Sequence, residues 1–166
     1  MKIDVYTRSV IKKTEYFFYN KSILELYRLF DEENQEIDNV LYLKTNENFI
    51  GIYIKGENPF FSDFSIQELD VFNLYATYQN LEYAKEKLLI KINDYKLVFN
   101  SEYNELLGIY LKDNEKILSF CIIFQFDNII TRKNIPFNVY LDILKSNLLH
   151  INDIRIYEKC SNMGNG

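Results

Sequence analysis

Acidic residues are concentrated in one part of the sequence. Residues 31–75 carry ten acidic and two basic side chains, a net charge of −8, whereas residues 1–30 carry a net charge of +3 and residues 76–166 are neutral overall. Clustered carboxylates give a surface a negative potential, which steers a basic partner toward it and repels nucleic acid. This pattern predicts a protein partner with a basic surface and no direct binding of nucleic acid. The alternative is that the acids only solvate loops.

Three phenylalanines lie within the acidic part of the chain, in residues 59–64. Aromatic anchors with a charged rim are typical of protein-binding hot spots, although the same phenylalanines could fill the core beneath a helix. We predict that residues 59–64 form a loop and contribute to a partner-binding surface. The predicted surface comprises Asp31, Glu32, Glu33, Glu36, Asp38, Glu57, Phe60, Phe61, Asp63 and Phe64.

The usual catalytic residue types are sparse. The sequence has one histidine, His150, and two cysteines, Cys121 and Cys160. Histidine is the commonest general base, but a histidine that follows an apolar helix is also favoured there by the helix dipole. Two cysteines and one histidine at wide spacing do not complete a tetrahedral zinc site, and the five glycines form no phosphate-binding motif. The sequence therefore predicts no catalytic residue, metal or cofactor.

Carboxylates are the one potentially catalytic side-chain type that is abundant in this sequence. Asp63, Glu68 and Asp70 could bind Mg²⁺ and act on a nucleotide or a nucleic acid. Their spacing matches no established pattern, and Glu68 and Asp63 have simpler interpretations as a helix-capping residue and a turn residue. A metal-dependent enzyme is therefore an alternative hypothesis.

The favoured hypothesis is a protein-binding inhibitor, of the kind represented by immunity proteins and antitoxins. Such a protein neutralises a basic toxin, for example a nuclease, by stoichiometric binding. A phage-encoded inhibitor of a host defence enzyme would have the same physical character. A structural subunit of an oligomer is a further alternative, because 14 tyrosines and 13 phenylalanines could cover a permanent interface. AT-rich codon usage is the simpler explanation of this aromatic content.

The sequence predicts a cytoplasmic protein that does not enter a membrane. Cys121 lies in an apolar run where a buried, reduced thiol is expected. The first residues lack the apolar core of a secretory signal, and no apolar stretch approaches the ~20 residues of a membrane helix.

Three segments have helical signals. Ser22 and Glu25 form a capping box ahead of apolar residues at helical intervals, which predicts a helix over residues 22–30. Ser65 and Glu68 repeat this device ahead of residues 69–78. The third segment begins at Pro136 and has apolar residues at i, i+4, i+7 and i+11 as far as residue 148.

Short β-branched and aromatic runs between turn residues predict strands. The main predicted strands are residues 40–43, 49–54, 88–92, 95–99, 106–111 and 117–126, and the shorter ones are 3–8, 15–19 and 154–157. Hairpin turns are expected at residues 45–48, 93–94 and 112–115, and residues 117–124 are expected to form a central strand covered on both faces.

The predicted fold class is α+β. We expect an antiparallel, meander-type sheet packed with about three helices, in a single domain over residues 1–159 with a flexible tail at 160–166. Residues 51–55 and 108–112 resemble each other in sequence, which we interpret as coincidence rather than as a sign of duplicated halves.

Overall fold

The computed structural model describes residues 4–56, 58–64, 81–100, 105–147 and 153–160. Within these ranges there are two helices and ten strands. The helices are α1 (Val5–Phe17) and α2 (Phe137–Asn147). The strands are β1 (Ser22–Phe30), β2 (Val40–Thr45), β3 (Phe49–Ile54), β4 (Pro59–Phe64), β5 (Glu82–Lys91), β6 (Asp94–Asn100), β7 (Glu105–Asp113), β8 (Leu118–Gln125), β9 (Asn128–Lys133) and β10 (Ile154–Lys159).

The strands form two five-stranded antiparallel sheets. The first has the order β4-β3-β2-β1-β5 and the second the order β10-β6-β7-β8-β9. The α+β class is thus confirmed in outline, but the single meander is not. The hairpin predicted at residues 93–94 is wrong, because β5 and β6 belong to different sheets. Asn93 instead accepts the backbone N–H of Asn114, at 2.9 Å, from the β7–β8 turn.

The two sheets have the same strand connectivity. Each is a four-stranded meander whose first strand also pairs with a fifth strand that comes later in the sequence. In the second sheet α2 connects the fourth and fifth strands. As the third strand of its meander, β3 is equivalent to β8. The two similar segments, residues 51–55 and 108–112, lie instead in β3 and β7, which do not occupy equivalent positions in the two sheets.

The predicted helix over residues 22–30 is wrong, because this segment is β1. Ile23, Leu26 and Leu29 are buried at a spacing of three, which imitates helical periodicity. A β-bulge between Ile23 and Glu25 places Ile23 on the same face as Leu26, in the main core, whereas Leu29 is buried on the opposite face, so the spacing of three combines the bulge with burial on both faces. Strand pairing with β2 and β5 on both sides of β1 stabilises the strand more than the capping box would stabilise a helix.

The strands predicted at residues 3–8 and 15–19 are also wrong, because residues 5–17 form α1. The Asp4 carboxylate caps this helix and accepts the N–H of Thr7 at 2.7 Å. The buried face of α1 includes Val10 and Phe17. α2 confirms the third predicted helix, whereas the one predicted over residues 65–78 lies outside the described residues.

The main core lies between the two sheets, whose inner faces both contribute to it together with α1. A second cluster lies between the second sheet and α2. As predicted, β8 is covered on both faces. Phe120 and Ile122 point into the main core, while Cys121 and Ile123 contact the α2 cluster. No helix in the described part of the chain is long and apolar enough to cross a membrane.

Candidate protein-binding surface

The acidic loop, residues 31–39, connects β1 to β2 and begins with a tight turn. The Asp31 carboxylate accepts the backbone N–H groups of Glu33 and Gln35, both at 2.9 Å, and the Asp31 N–H donates to the Gln35 carbonyl at 2.9 Å. These bonds fix the tip in one conformation. Glu32 and Glu33 are exposed at this tip, whereas Asp31 is half-buried and serves the turn itself.

The acidic loop is docked onto β9 of the second sheet. The Asp38 carbonyl accepts the N–H of Ile129 in β9 at 2.7 Å, while Ile37 of the loop is buried in a cluster with Leu29 and Tyr42 of the first sheet. With its side-chain nitrogen turned toward Asp38, the orientation that satisfies both groups, the Asn128 amide donates to both carboxylate oxygens, at 3.1 and 3.2 Å. The loop is therefore held at both its tip and its base.

Glu36 is the member of the predicted surface whose charge is compensated most directly. Arg28 of β1 lies 3.1 Å from the Glu36 carboxylate and also donates a hydrogen bond to Thr131 of β9. Glu36 therefore anchors the loop, and the exposed negative charge of the loop comes mainly from Glu32, Glu33 and Asp38.

Glu82 of β5 adds a carboxylate that the sequence did not point to. A shallow cavity of about 400 Å³ beside the loop tip is lined by Asp31, Glu32 and Glu82. Glu82 is far from Glu32 in the sequence, and the pairing of β1 with β5 brings the two together. No local signal could have indicated this contact.

Residues 59–64 form β4 rather than a loop, so that part of the prediction is wrong. β4 pairs with β3, and its side chains alternate between the two faces of the sheet. Phe61 is 7% exposed and belongs to the main core, whereas Phe60 is 58% exposed on the opposite face. The phenylalanines therefore do not form one exposed cluster. Glu57 and the side chains of Asp63 and Phe64 lie outside the described residues.

An exposed aromatic residue that sequence reasoning missed lies in the turn between β8 and β9. This turn, here called the Phe126 turn, consists of Phe126 and Asp127, with φ angles of 49° and 64°. Positive φ at both positions is the type I′ arrangement, which favours Asn and Gly. Phe126 is nonetheless 82% exposed there. The sequence placed it at the end of a strand, because side-chain type gives no indication of positive φ for a phenylalanine.

The Phe126 turn is fixed to the neighbouring β3–β4 turn. The Asp127 carboxylate accepts the N–H of Gly56 at 3.0 Å, and Asn58 accepts the N–H of Leu106, the second residue of β7, at 3.4 Å. Gly56 has a φ of 93°, which a residue with a side chain rarely adopts.

These elements enclose a cleft of about 520 Å³, here called the Phe126 cleft. Its apolar lining comes from Ile54, Leu106 and Phe124, and its carboxylates come from Glu105 and Asp127. The cleft lies next to the base of the acidic loop, because Ile129, the second residue after the turn, donates its N–H to the Asp38 carbonyl.

Basic residues lie at the other edge of the second sheet. α1 contacts β10 through Lys159 and Glu15, whose charged atoms are 2.8 Å apart, and through a 3.1 Å hydrogen bond from Arg155 to Thr7. The outer face of α1 exposes three basic residues, Arg8, Lys12 and Lys13. β10 and β9 are the two edge strands of this sheet, about 19 Å apart at the usual strand spacing. The acidic loop and the basic face of α1 therefore lie at opposite edges.

The described residues include a buried cysteine and no cluster of potential metal ligands. Burial raises the pKa of Cys121 to about 12, so its thiol stays protonated and is a poor nucleophile. Among the residues that the structure describes, no group of three or more His, Cys, Asp or Glu side chains is placed to hold a metal ion. His150 lies outside them.

No protein-family model matches this chain, and no curated protein matches it in sequence.

Proposed function

We propose that this protein is a stoichiometric inhibitor of the immunity or antitoxin type, which neutralises a basic protein such as a nuclease by covering part of its surface. The observation that supports this function best is the acidic loop, which presents exposed carboxylates on a backbone that is already fixed. The rest of the proposal follows from what such a loop does in association.

A fixed loop binds with less loss of conformational entropy than a flexible one. The Asp31 turn and the contact of Asp38 with β9 supply that order before any partner arrives. Glu32 and Glu33 then act as rim charges, whose main effects are on the association rate and its dependence on salt.

The charge distribution also orients the partner. With the acidic loop at the β9 edge and the basic face of α1 at the β10 edge, a positively charged surface is attracted to one edge and repelled from the other. This asymmetry favours one docking orientation before close contact is made.

A phage-encoded inhibitor of a host defence enzyme would use the same surface in the same way, and only the identity of the partner separates the two. The alternative of a metal-dependent enzyme requires Asp63, Glu68 and Asp70 to lie close together. Asp63 lies in β4, paired opposite Ile50, and Glu68 and Asp70 lie outside the described residues, so no observed geometry brings the three together.

The test is to capture the partner from cells of the source organism and to measure association with the purified partner at several salt concentrations. Replacing Glu32 and Glu33 with Lys is expected to slow association about tenfold or more at low salt and to weaken its salt dependence. The matched control replaces Glu115 and Asp142 with Lys, which changes the net charge equally at exposed positions outside the acidic loop.

The partner should be a basic protein whose activity or toxicity is lost in the complex. Equal slowing by both double variants would show that only net charge matters, and that the acidic loop is not the contact. A captured partner that keeps its full activity in the complex would contradict an inhibitory function.

A further inference from the structure

The Phe126 cleft combines an apolar floor with carboxylates at its edge. Ile54, Leu106 and Phe124 supply the floor, and Glu105 and Asp127 supply negative charge. A purely aliphatic ligand would make no use of the negative charge, and a compact cation would make no use of the floor. The side chain that uses both is long, with an aliphatic stem and a cationic head.

Phe126 is held in an unfavourable backbone conformation at the side of this cleft. Its φ of 49° is rare for a bulky residue, and its ring is 82% exposed rather than packed into the core. Such outliers cluster at binding sites, where the surrounding structure maintains them. An exposed aromatic ring beside carboxylates is a favourable neighbour for a guanidinium group, which stacks on rings.

The Asp127 carboxylate is held in place by a backbone N–H group. Its Oδ1 accepts the N–H of Gly56 at 3.0 Å, which fixes the carboxylate at the edge of the cleft. Arginine binds a fixed, planar carboxylate better than lysine does, because its planar guanidinium has several donors in one plane.

We propose that the Phe126 cleft receives an arginine side chain of the basic partner protein, with its stem on the apolar floor and its guanidinium between Asp127 and the Phe126 ring. This assignment rests on the proposed inhibitory function and names the contact that anchors it. The cleft adjoins the acidic loop through the backbone bond from Ile129 to Asp38, so the two would form one continuous interface.

The first experiment uses N-acetyl-arginine N-methylamide as a probe and follows the protein by NMR. We expect saturable shifts at the amides of Gly56 and Asp127 and at the Phe126 ring. The control probe is the citrulline analogue, which has nearly the same shape and no charge. We expect it to bind about threefold or more weakly.

Variants locate the site of the probe. Asp127→Asn keeps an oxygen for the Gly56 N–H and removes only the charge, and Phe126→Ala removes the ring; each is expected to weaken arginine binding about threefold or more. The matched control is Ile117→Ala, because Ile117 is 80% exposed with a φ of 55° at the opposite end of β8. Thermal melting of each variant checks that it is folded.

Three results would overturn the assignment. The first is no saturable shift at the cleft, and the second is equal binding of the arginine and citrulline probes. The third is a shift that depends on protein concentration without any probe, which would identify the cleft as a contact between copies of this chain.

The same variants separate this assignment from the proposed function. If Phe126→Ala and Asp127→Asn leave the affinity for the captured partner unchanged while the Glu32 and Glu33 variant slows association, the cleft assignment is wrong and the inhibitory function stands. If the probe binds as expected but the captured partner keeps full activity in the complex, the inhibitory function is wrong. We expect each cleft variant to weaken the partner complex about tenfold or more.

Discussion

Gly108 in β7 leaves room for Tyr140 of α2 to pack against the second sheet. A Cβ atom at this position would lie 1.8 Å from the Tyr140 hydroxyl oxygen and 2.7 Å from the Ile122 carbonyl oxygen. The absence of a side chain allows the Tyr140 hydroxyl to donate to that carbonyl at 2.7 Å. Tyr140 is fully buried, so this contact joins α2 to the outer face of the second sheet.

We therefore expect Gly108→Ala to lower the free energy of unfolding by about 2–3 kcal/mol, because it overpacks a buried contact. Tyr140→Phe alone should cost about 1 kcal/mol through the lost hydrogen bond. Because the removed hydroxyl is what the new methyl group would strike, the double variant should lose less than the sum of the two. Urea unfolding measures all three, and strictly additive losses would show that the two residues do not share this contact.

Phe126 destabilises the turn between β8 and β9, because a phenylalanine is unfavourable at positive φ. A residue other than Gly or Asn at positive φ costs about 1–2 kcal/mol. Phe126→Asn should therefore raise the free energy of unfolding by about 0.5–1 kcal/mol, and Ile117→Asn should do the same at the other end of β8. Urea unfolding tests the gain. Only Phe126→Asn should weaken partner binding, and a loss of stability in this variant would contradict our account of the turn.

At the scale of elements, α1 makes a charged contact with β10. The pKa of Glu15 lies below its ordinary value of 4.5, chiefly because Lys159, and then Tyr95, donate hydrogen bonds to its carboxylate. A carboxyl whose pKa is lowered on folding stabilises the folded state above its ordinary pKa. It loses that contribution as the pH falls through the lower value.

Glu15→Gln should consequently lower the free energy of unfolding at pH 7 by about 0.5 kcal/mol, a small value because the pair is partly exposed. The difference between the two proteins should shrink as the pH falls below 4.5, where the wild-type carboxylate begins to be protonated. Urea unfolding across this pH range is the measurement, with Glu115→Gln as the control. A difference that is constant with pH would assign the effect to packing rather than charge.

Elements with strong local signals were predictable. Each of these elements contains its own apolar run or its own helical spacing of apolar residues. They are β2, β3, β7, β8 and α2. β1 was not predictable, because its bulge and its burial on both faces together create a spacing of three that a helix also produces. α1 was missed because two of its four buried positions are the threonines Thr7 and Thr14, which weaken the apolar pattern.

At the scale of the molecule, the division into two sheets depends on contacts that no local pattern encodes. Nothing in residues 92–93 indicates that the chain leaves one sheet and enters another. The exposure of Glu32 and Glu33 followed from their charge, whereas the proximity of Glu82 and the Phe126 cleft required the folded arrangement. Sequence patterns thus located the acidic loop, and long-range pairing supplied Glu82 and the Phe126 cleft.

Among the described strands, the chain passes from the first sheet to the second only once, so every ladder of the first sheet joins residues that precede position 92. During synthesis on the ribosome, those ladders can all form before the second sheet has emerged. The apolar inner face of the first sheet nevertheless stays open to water until its counterpart arrives. Nascent chains arrested at this stage would be natural clients for chaperones.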